Sequence, residues 1–443
     1  MKSSLTKGNI TTSLLFFSIP MILGDLLQQF YNIADTFIVG HYISSQALGA
    51  VGSSFTLMTF LTSILLGLCM GSGVLFSMLF GAGKYEEMKT AFFASFLGIG
   101  VLAILLEAAC IVGIDLILQF LRIPEEIYRD TRDYLFIIFT GLFFTFLYNY
   151  FASLLRAFGD SRTPLVFLAA ASVINVVLDY SFVVHVKMGV KGAAAATLIA
   201  QAVSAFGIMI FAAATKRELF PKRRHCCFDP AIFRKIKDYS LLTCAQQSVM
   251  NFGILMIQGL VNSFGLPVMS AFAAAVKIDS FAYMPVQDFG NAFSTFIAQN
   301  KGAGEEERIQ KGLRSAIGIS AVFCVVISCI VFVFARELML IFIKPWEAEI
   351  IQHGVQYLRI EGSCYAGIGC LFLLYGYYRG IGRPGISVVL TVISLGTRVV
   401  LAYVLSPVWG TAAIWWAIPA GWFLADAAGL MYAVKGQKKR DKI

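Results

Sequence analysis

Twelve long apolar runs constrain this chain more than any other feature of its sequence. A helix needs about 20 mostly apolar residues to cross a bilayer, and runs of that kind cover residues 13–39, 46–80, 91–120, 134–156, 164–186, 192–215, 239–264, 268–300, 312–335, 352–378, 385–405 and 411–434. Charged residue types make up only 14% of the chain, whereas a soluble protein has about 25%. The sequence therefore predicts an all-α polytopic membrane protein with twelve transmembrane helices.

The distribution of Lys and Arg predicts how these helices are oriented. Counted over alternating loops, basic residues favour one side of the membrane by about three to one, and cytoplasmic loops carry the excess. Both termini are then cytoplasmic, in a multi-pass protein of the cytoplasmic (inner) membrane. The same excess, which includes the stretch from Lys216 to Lys237 and a tail from Lys435 to Lys442, accounts for the net charge of +9. We expect no nucleic-acid partner.

The chain also repeats itself at a nearly constant offset. Three motifs recur in the same order: Gly-Ala-Gly ahead of two Glu residues (81–87 and 302–306), Arg-x-x-Gly (156–159 and 379–382), and x-Val-Val-Leu-x-Tyr (175–180 and 398–403). Each pattern alone is common, but their shared order and spacing indicate a duplication. The sequence predicts an N-lobe over 1–215 (helices 1–6), a basic cytoplasmic linker over 216–238 and a C-lobe over 239–443 (helices 7–12).

An even number of helices in each half makes the two halves parallel. We expect two six-helix bundles related by a pseudo-two-fold axis along the membrane normal, an arrangement that secondary transporters use for alternating access. A membrane-embedded transferase needs a catalytic cluster, but the four His residues (His41, His185, His225 and His353) lie apart, at the ends of separate runs or in the linker. We therefore expect a transporter without enzymatic activity and without a cofactor. A non-transporting receptor would leave the buried acids described next without a purpose.

Acidic residues inside apolar runs are costly, by about 2.5–3.5 kcal/mol each, so each requires an explanation. The candidates are Asp25, Asp35, Glu107, Asp115, Asp179, Asp279, Asp288, Glu361 and Asp426. We expect Asp115, Asp279 and Glu361 to lie near helix ends, where a carboxylate reaches water.

Asp35 and Asp179 lie deeper and have polar neighbours. Asn175 and Asp179 are four residues apart and share one helix face, as do Gln28, Tyr31 and Asp35. Helix 6 offers Thr197 after the small residues 193–196, which permit close helix packing. Two carboxylates, an amide and a hydroxyl form an oxygen-rich pocket that suits Na⁺ or a proton. The alternative is two separate acids with structural hydrogen bonds.

The repeat sharpens the prediction, because the second half lacks equivalent acids. At the offset of the third motif, Arg398 takes the place of Asn175 and Ala402 takes that of Asp179. Acids needed only for packing would be expected in both halves. This asymmetry predicts a cation site confined to the N-lobe.

Several motifs make this chain resemble the multidrug and toxic compound extrusion (MATE) transporters over almost its whole length. The resemblance rests on Pro20, Ala34-Asp35-Thr36 ahead of Gly40, Gly71 to Gly83, Arg156 to Asp160, Asn175-x-x-x-Asp179 and Gln299 to Gly304. It implies outward export of organic cations driven by H⁺ or Na⁺. In DinF-like and archaeal-type members the coupling ion lies in the N-lobe, and that site corresponds to Asp35, Asn175, Asp179, Thr197 and the backbone carbonyl of Ala193. Pro20 corresponds to a helix-1 kink linked to protonation.

One departure concerns the C-lobe. NorM-type members carry acids in helices 7 and 10, whereas helix 7 here offers Gln246 and Gln247, and the centre of helix 10 is neutral. The resemblance is therefore closer to the DinF-like pattern than to NorM, and it makes a C-lobe cation site doubtful.

The substrate cavity is predicted from polar residues along helices 1, 7 and 8. They are Gln28, Tyr31, Gln246, Gln247, Asn251, Gln287, Asp288 and Asn291. Gln287, Asn291 and Ser294 share one face of helix 8, which we expect to line a central cleft, with Asp288 either attracting a cationic substrate or pairing with Lys277 or Arg398. We expect a small organic cation or drug as substrate, a monomer in the lipid bilayer, and no metal beyond Na⁺ at the coupling site. A flippase for a lipid-linked precursor is the alternative within the related superfamily, although its cavity usually carries basic residues.

Overall fold

The computed structural model describes residues 5–121, 123–227 and 229–440, so the basic tail ends outside it, at Lys442. The first half of the chain forms eight α-helices. They are α1 (Ile10–Tyr42), α2 (Ser45–Gly81), α3 (Tyr85–Val112), α4 (Ile114–Phe120), α5 (Glu125–Phe139), α6 (Leu142–Ala157), α7 (Arg162–Tyr180) and α8 (Val190–Thr215). A π-helical turn, Ser181–His185, extends α7, and two 3-10 turns, Arg217–Leu219 and Arg223–His225, follow α8.

The second half forms eight more α-helices in the same order. They are α9 (Pro230–Asn262), α10 (Leu266–Gly302), α11 (Glu306–Val333), α12 (Ala335–Leu340), α13 (Ala348–Ser363), α14 (Tyr365–Gly380), α15 (Pro384–Trp409) and α16 (Thr411–Arg440). Helix lengths match between the halves: α1 and α9 have 33 residues, α2 and α10 have 37, and α3 and α11 have 28. The repeat predicted from the motifs is therefore present in the helices.

Glycines explain why two of the motifs recur. Gly83 and Gly304, each the last glycine of its Gly-Ala-Gly, have φ of +69° and +77°. Gly159 and Gly382, which close the two Arg-x-x-Gly motifs, have φ of +80° and +87°. Only glycine adopts this left-handed conformation without strain, and at these positions it ends one helix and turns the chain toward the next.

Nine helices of the described residues are long and apolar enough to cross a membrane. A tenth span results if α5 and α6, which bend by 42° at their junction, are counted together. Apart from the short helices α4 and α12, the helices that do not qualify are α10 and the pair α13–α14, which carry charged residues such as Asp279, Asp288 and Glu361. The protein is therefore a multi-pass membrane protein, and the described residues support nine or ten of the twelve expected spans by composition.

The helices group into two compact units, each with its own apolar core. Unit 1 comprises Ile19–Cys244, and unit 2 comprises Leu5–Ser18 together with the residues from Ala245 onward. These boundaries differ from the expected lobes, 1–215 and 239–443, in two respects. The first turns of α1 belong to unit 2, and the basic stretch 216–238 with the first turns of α9 belongs to unit 1.

Specific contacts hold each of these segments in its unit. In unit 2 the Arg308 guanidinium donates to the Lys7 and Gly8 carbonyls at 3.0 and 2.8 Å. In unit 1 the Glu86 carboxylate accepts from Arg224 at 2.6 Å and lies 2.8 Å from His225 Nε2. His225 Nδ1 accepts the Lys222 amide at 2.8 Å, which ties the ring to its own 3-10 turn. The predicted linker is thus an ordered part of unit 1.

Small residues let the start of α9 pack tightly in unit 1. A Cβ atom on Gly71 of α2 would lie 2.4 Å from the Tyr239 carbonyl oxygen, and one on Gly67 would lie 2.6 Å from Cys244 Cα. Such distances leave no room for any side chain, so α2 and the first turns of α9 are in backbone contact.

Candidate functional site

Helices α1, α7 and α8 bring the predicted coupling residues together in unit 1. Asp35 lies on α1, Asn175 and Asp179 on α7, and Thr197 on α8. Helices α7 and α8 pack against each other through small side chains, since Ala193, Ala194 and Ala196 are fully buried. The predicted small-residue contact is present, and it places Thr197 next to Asn175.

The backbone changes its geometry directly after Asp179. The Val186 amide donates to the Ser181 carbonyl at 3.0 Å, five residues earlier, which widens the helix into a π-turn. Such turns are rare and occur frequently at functional sites. The chain then reverses at Lys187 and Gly189, with φ of 58° and 60°, so that α8 returns beside α7.

The site residues are buried but poorly supplied with hydrogen-bond donors. Asn175 Nδ2 donates to Thr197 Oγ1 at 3.2 Å. The amide oxygen of Asn175, both carboxylate oxygens of Asp179 and Oδ1 of Asp35 have no hydrogen-bond partner within the described residues. Asp179 is fully buried and Asp35 is 9% exposed. The site therefore has four buried oxygen acceptors for which the described residues supply no hydrogen-bond donor.

Electrostatics and packing place the two carboxylates in one environment. Asp35 and Asp179 are near enough for their negative charges to repel each other. The hydroxyls of Tyr31 and Tyr134 lie in the field of both acids. An apolar cluster that includes Ile38, Val51, Tyr134, Ile138, Val183 and Val190 packs around this region. Tyr134, on α5, was missed by the sequence argument, because no motif or repeat marks it.

This arrangement fits a small monovalent cation or a proton. Oxygen atoms are the ligands of hard cations, and a positive guest would relieve both the repulsion and the unpaired acceptors. Among the described residues, no three His, Cys, Asp or Glu side chains converge as a metal site. Ala193 lies in the first turn of α8, where helical geometry directs its carbonyl toward the amide of residue 197, so its role as a ligand stays a prediction.

Two other acids of the predicted apolar runs have structural partners. The Glu107 carboxylate accepts the Phe143 amide at 3.0 Å, which caps the start of α6 at its bend from α5. Asp115 accepts from Arg132 Nε at 2.8 Å and from the Tyr128 hydroxyl at 3.0 Å. Its side chain is half exposed, as expected for an acid near a helix end.

The expectation for Asp279 and Glu361 is wrong, because neither reaches water. Asp279 of α10 is 6% exposed and Glu361 of α13 is 1% exposed. Their carboxyl groups lie beside each other. Tyr365 donates to Asp279 at 2.5 Å and Tyr357 at 3.4 Å. Unit 2 therefore also contains a buried pair of acids, and intramembrane acid pairs are not confined to the first half.

The two acid pairs differ in their local charge. In unit 2, two tyrosine hydroxyls donate to Asp279, and the Arg398 guanidinium lies in the field of both acids. Arg398 occupies the repeat position of Asn175. The pair in unit 2 thus carries an internal positive charge, whereas the described residues around Asp35 and Asp179 supply none. The site in unit 1 is the better match for a cation from solution.

The predicted cavity residues fall in both units. Gln28, which hydrogen-bonds Tyr31, is half-buried in unit 1. In unit 2, Gln246, Gln247 and Asp288 are buried, while Asn251 and Gln287 are half-buried. Their joint role as a substrate cavity stays a prediction.

The predicted polar face of α10 does not line a cleft along its whole length, because two of its residues contact α14. Ser294 is 3% exposed, and its backbone lies against the glycines of α14: a Cβ on Gly380 would be 2.8 Å from the Ser294 carbonyl oxygen. Asn291 instead accepts a hydrogen bond from Arg379 at 2.8 Å. Arg379 is 4% exposed, and its Nε has no partner among the described residues. This arginine lies one residue beyond the predicted apolar run 352–378, so its burial was not predicted from the sequence.

Pro20 lies inside α1, which continues through it as one helix. The boundary between the two compact units falls between Ser18 and Ile19, one residue before this proline. A kink that responds to protonation stays a prediction, but the proline does stand where α1 passes from one unit to the other.

Comparison with known proteins now adds to this geometry. A family model described as MatE matches residues 20–181 and 241–404, once in each half. The probable multidrug resistance protein YpnP of Bacillus subtilis (strain 168) is 30% identical over 99% of this chain and 98% of its own length. The chain belongs to the MATE family.

More distant members support the same assignment. The probable multidrug resistance protein NorM of Thermotoga maritima is 26% identical, covering 89% of this chain and 86% of that protein. Among solved structures, an outward-facing multidrug resistance MATE family transporter of the MOP superfamily superposes with a TM-score of 0.92 at 21% identity, covering 100% of this chain and 99% of the other. A MOP superfamily transporter from Pyrococcus furiosus gives 0.90 at 22%, covering 97% and 96%. These structures share the MATE fold.

Proposed function

We propose that this MATE family member is a secondary active antiporter that exports organic cations or drugs in exchange for H⁺ or Na⁺. The observation that carries the proposal is the buried site of Asp35, Asn175, Asp179 and Thr197, whose unpaired oxygens lack donors. The family relatives named as multidrug resistance proteins support the substrate class. No cofactor is needed, and the coupling ion supplies the energy.

The coupling follows from the charges at the site. With the site empty, Asp35 and Asp179 repel each other in a buried setting, which disfavours the conformation that holds them together. A bound cation or proton removes the repulsion and stabilises that conformation. Substrate and ion drive transport if they favour opposite-facing states, because a ligand shifts an equilibrium only by its differential affinity for two states.

The proposal includes an arrangement in the membrane. Twelve spans form two parallel six-helix bundles, an N-lobe and a C-lobe, in the inner membrane with both termini cytoplasmic. The broken pair α13–α14 and the charged α10 complete the spans, because their acids Asp279, Asp288 and Glu361 are buried inside unit 2 rather than facing lipid. Gln246, Gln247, Asn251, Gln287 and Asp288 contribute the cavity of the C-lobe, and Gln28 and Tyr31 that of the N-lobe. The protein acts as a monomer.

The direct test is efflux of a fluorescent organic cation from proteoliposomes, with pH and Na⁺ gradients imposed separately. Wild-type protein should export the dye under one of the two gradients, which identifies the coupling ion. Asp35→Asn and Asp179→Asn should each abolish gradient-driven export. Asp115→Asn, which alters a half-exposed acid on the same unit, should keep it. Retained gradient-driven export in both site variants would overturn the proposal.

Arg379 favours a second candidate, a flippase for an anionic lipid-linked precursor. It is a buried cation whose Nε has no partner in the described chain, and basic residues suit an anionic cargo. In the same proteoliposomes, a flippase would move an anionic lipid without exporting the cationic dye, so the two functions give opposite results.

A further inference from the structure

A groove on unit 1 lies apart from the coupling site and has no role in the proposed transport cycle. It has a volume of about 540 Å³, within the range of ligand sites, and lies between α3, α6, α8 and the 3-10 turn Arg217–Leu219. Its lining consists entirely of apolar side chains, among them Phe92, Phe96, Phe151, Met209, Ile210 and Phe220.

Packed aromatic rings shape the groove. The Phe220 ring lies 5.2 Å from that of Phe92 and 6.2 Å from that of Phe151, which it stacks against. Phe92 and Phe151 are buried, whereas Ile210 on the rim is 63% exposed. The Tyr150 hydroxyl donates to the Phe92 carbonyl at 2.8 Å and fixes the floor further. The groove is therefore preformed by the protein and open along one side.

One end of the groove is basic. Lys216 and Arg217 begin the 3-10 turn that leads to Phe220, and the Phe220 amide donates to the Arg217 carbonyl at 3.3 Å. Three residues of such a turn rise about 6 Å, so two cationic side chains start within one turn of the groove wall. In the part of the chain that the structure describes, neither forms an ion pair with an acid.

We propose that this groove binds one acyl chain of an anionic phospholipid whose headgroup phosphate is held by Lys216 and Arg217. The transported cation is a poor match, because the lining holds no acid and the end of the groove, where Lys216 and Arg217 stand beside Glu218, has a net positive charge. A zwitterionic lipid fits the apolar part but leaves the two cations without a net negative partner. The leaflet follows from the proposed topology, which puts the basic stretch at the cytoplasmic surface, where anionic lipids attract Lys and Arg.

Tryptophan quenching tests this binding directly. All five Trp residues lie at or after position 346, so unit 1 contributes none, and Phe220→Trp adds a reporter to the groove wall. The protein is placed in nanodiscs of zwitterionic lipid doped with brominated phosphatidylglycerol or brominated phosphatidylcholine. Phe206→Trp, on α8, 45% exposed and outside the groove lining, is the matched control.

We expect the reporter at position 220 to be half-quenched at a mole fraction of brominated phosphatidylglycerol about 25-fold lower than that of brominated phosphatidylcholine. Each of the two basic residues contributes about fivefold. The reporter at 206 should not distinguish the lipids. Lys216→Gln with Arg217→Gln should remove the preference at 220 while ordinary lipid contact continues. Lipid co-purified with the unmodified chain and with the charge variant gives the same comparison without an introduced Trp.

Three results would overturn the proposal: equal quenching by both lipids, a preference that survives in the charge variant, or displacement of the lipid by a transported cation. The measurement uses no ion gradient. It is therefore independent of whether Asp35 and Asp179 couple transport.

Discussion

Replacing Asp179 by Asn removes a buried charge from unit 1 while keeping the shape of the side chain. Neither Asp179 oxygen accepts a hydrogen bond within the described chain, and an unsatisfied buried polar atom costs about 1–3 kcal/mol. The new amide also has a donor that can satisfy Asp35, which ends the repulsion between the two acids. We expect the free energy of unfolding, measured without coupling ion, to rise by about 2 kcal/mol.

This gain should appear as a higher unfolding temperature in detergent. For domains of this size 1 kcal/mol corresponds to about 2–4 °C, so Asp179→Asn should raise the midpoint by about 4–8 °C. A thiol-reactive dye suits the assay, because Cys69, Cys110 and Cys324 are buried in the folded state and react on unfolding. The same variant should lose coupled efflux, since strained charges at a functional site trade stability for activity.

Ion dependence separates this explanation from a general gain in packing. A ligand that binds only the folded state raises the midpoint, so adding the coupling ion should stabilise wild-type protein and have no effect on Asp179→Asn. A midpoint that falls in the variant, or one that still responds to the ion, would refute the reasoning. Asp115→Asn serves as the control for the ion response alone, because its carboxylate is half exposed and lies outside the buried site.

Three further perturbations test separate features. Thr197→Val removes the acceptor of the Asn175 amide and should weaken coupling-ion affinity about fivefold, the equivalent of one hydrogen bond of about 1 kcal/mol; titrating the ion in the thermal assay measures this, and unchanged affinity would exclude Thr197 from the site. Gly71→Ala should destabilise by about 1–3 kcal/mol through overpacking, whereas Gly98→Ala, with no atom within 4 Å of its Cβ, should not; equal midpoints would contradict the backbone contact. The hydrogen bond from Arg132 lowers the pKa of Asp115, so this pair adds stability above the usual Asp pKa and loses it as pH falls through the lowered value; a thermal pH profile that matches Asp115→Asn at every pH would contradict a stabilising role.

The sequence allowed the buried cluster of Asp35, Asn175, Asp179 and Thr197 to be predicted because its signals are local. Asn175 and Asp179 are one helical turn apart, and a buried acid in an apolar run is visible without coordinates. The repeat could be read for a similar reason, since glycines such as Gly83 and Gly304 are required by a backbone conformation that no other residue adopts easily. Whether these residues bind the coupling ion remains a prediction.

The acid pair of unit 2 could not be predicted in the same way. Asp279 and Glu361 are far apart in sequence, and α13 ends at Ser363 inside a run that remains apolar into α14. Because no polar stretch marks this break between α13 and α14, nothing in the sequence places Glu361 in the interior. Nothing in the sequence indicates that the first turns of α1 pack in unit 2 and those of α9 in unit 1. An apolar helix face has the same pattern whichever neighbours it packs against.

Each compact unit takes the opening turns of a long helix from the other half of the polypeptide. Cutting the chain within 216–229 would therefore separate residues 5–18 from the body they stabilise, and would leave the turns from 230 to 244 on the wrong fragment. Neither product is a complete folding unit, and two co-expressed fragments can restore the native units only by exchanging these ends.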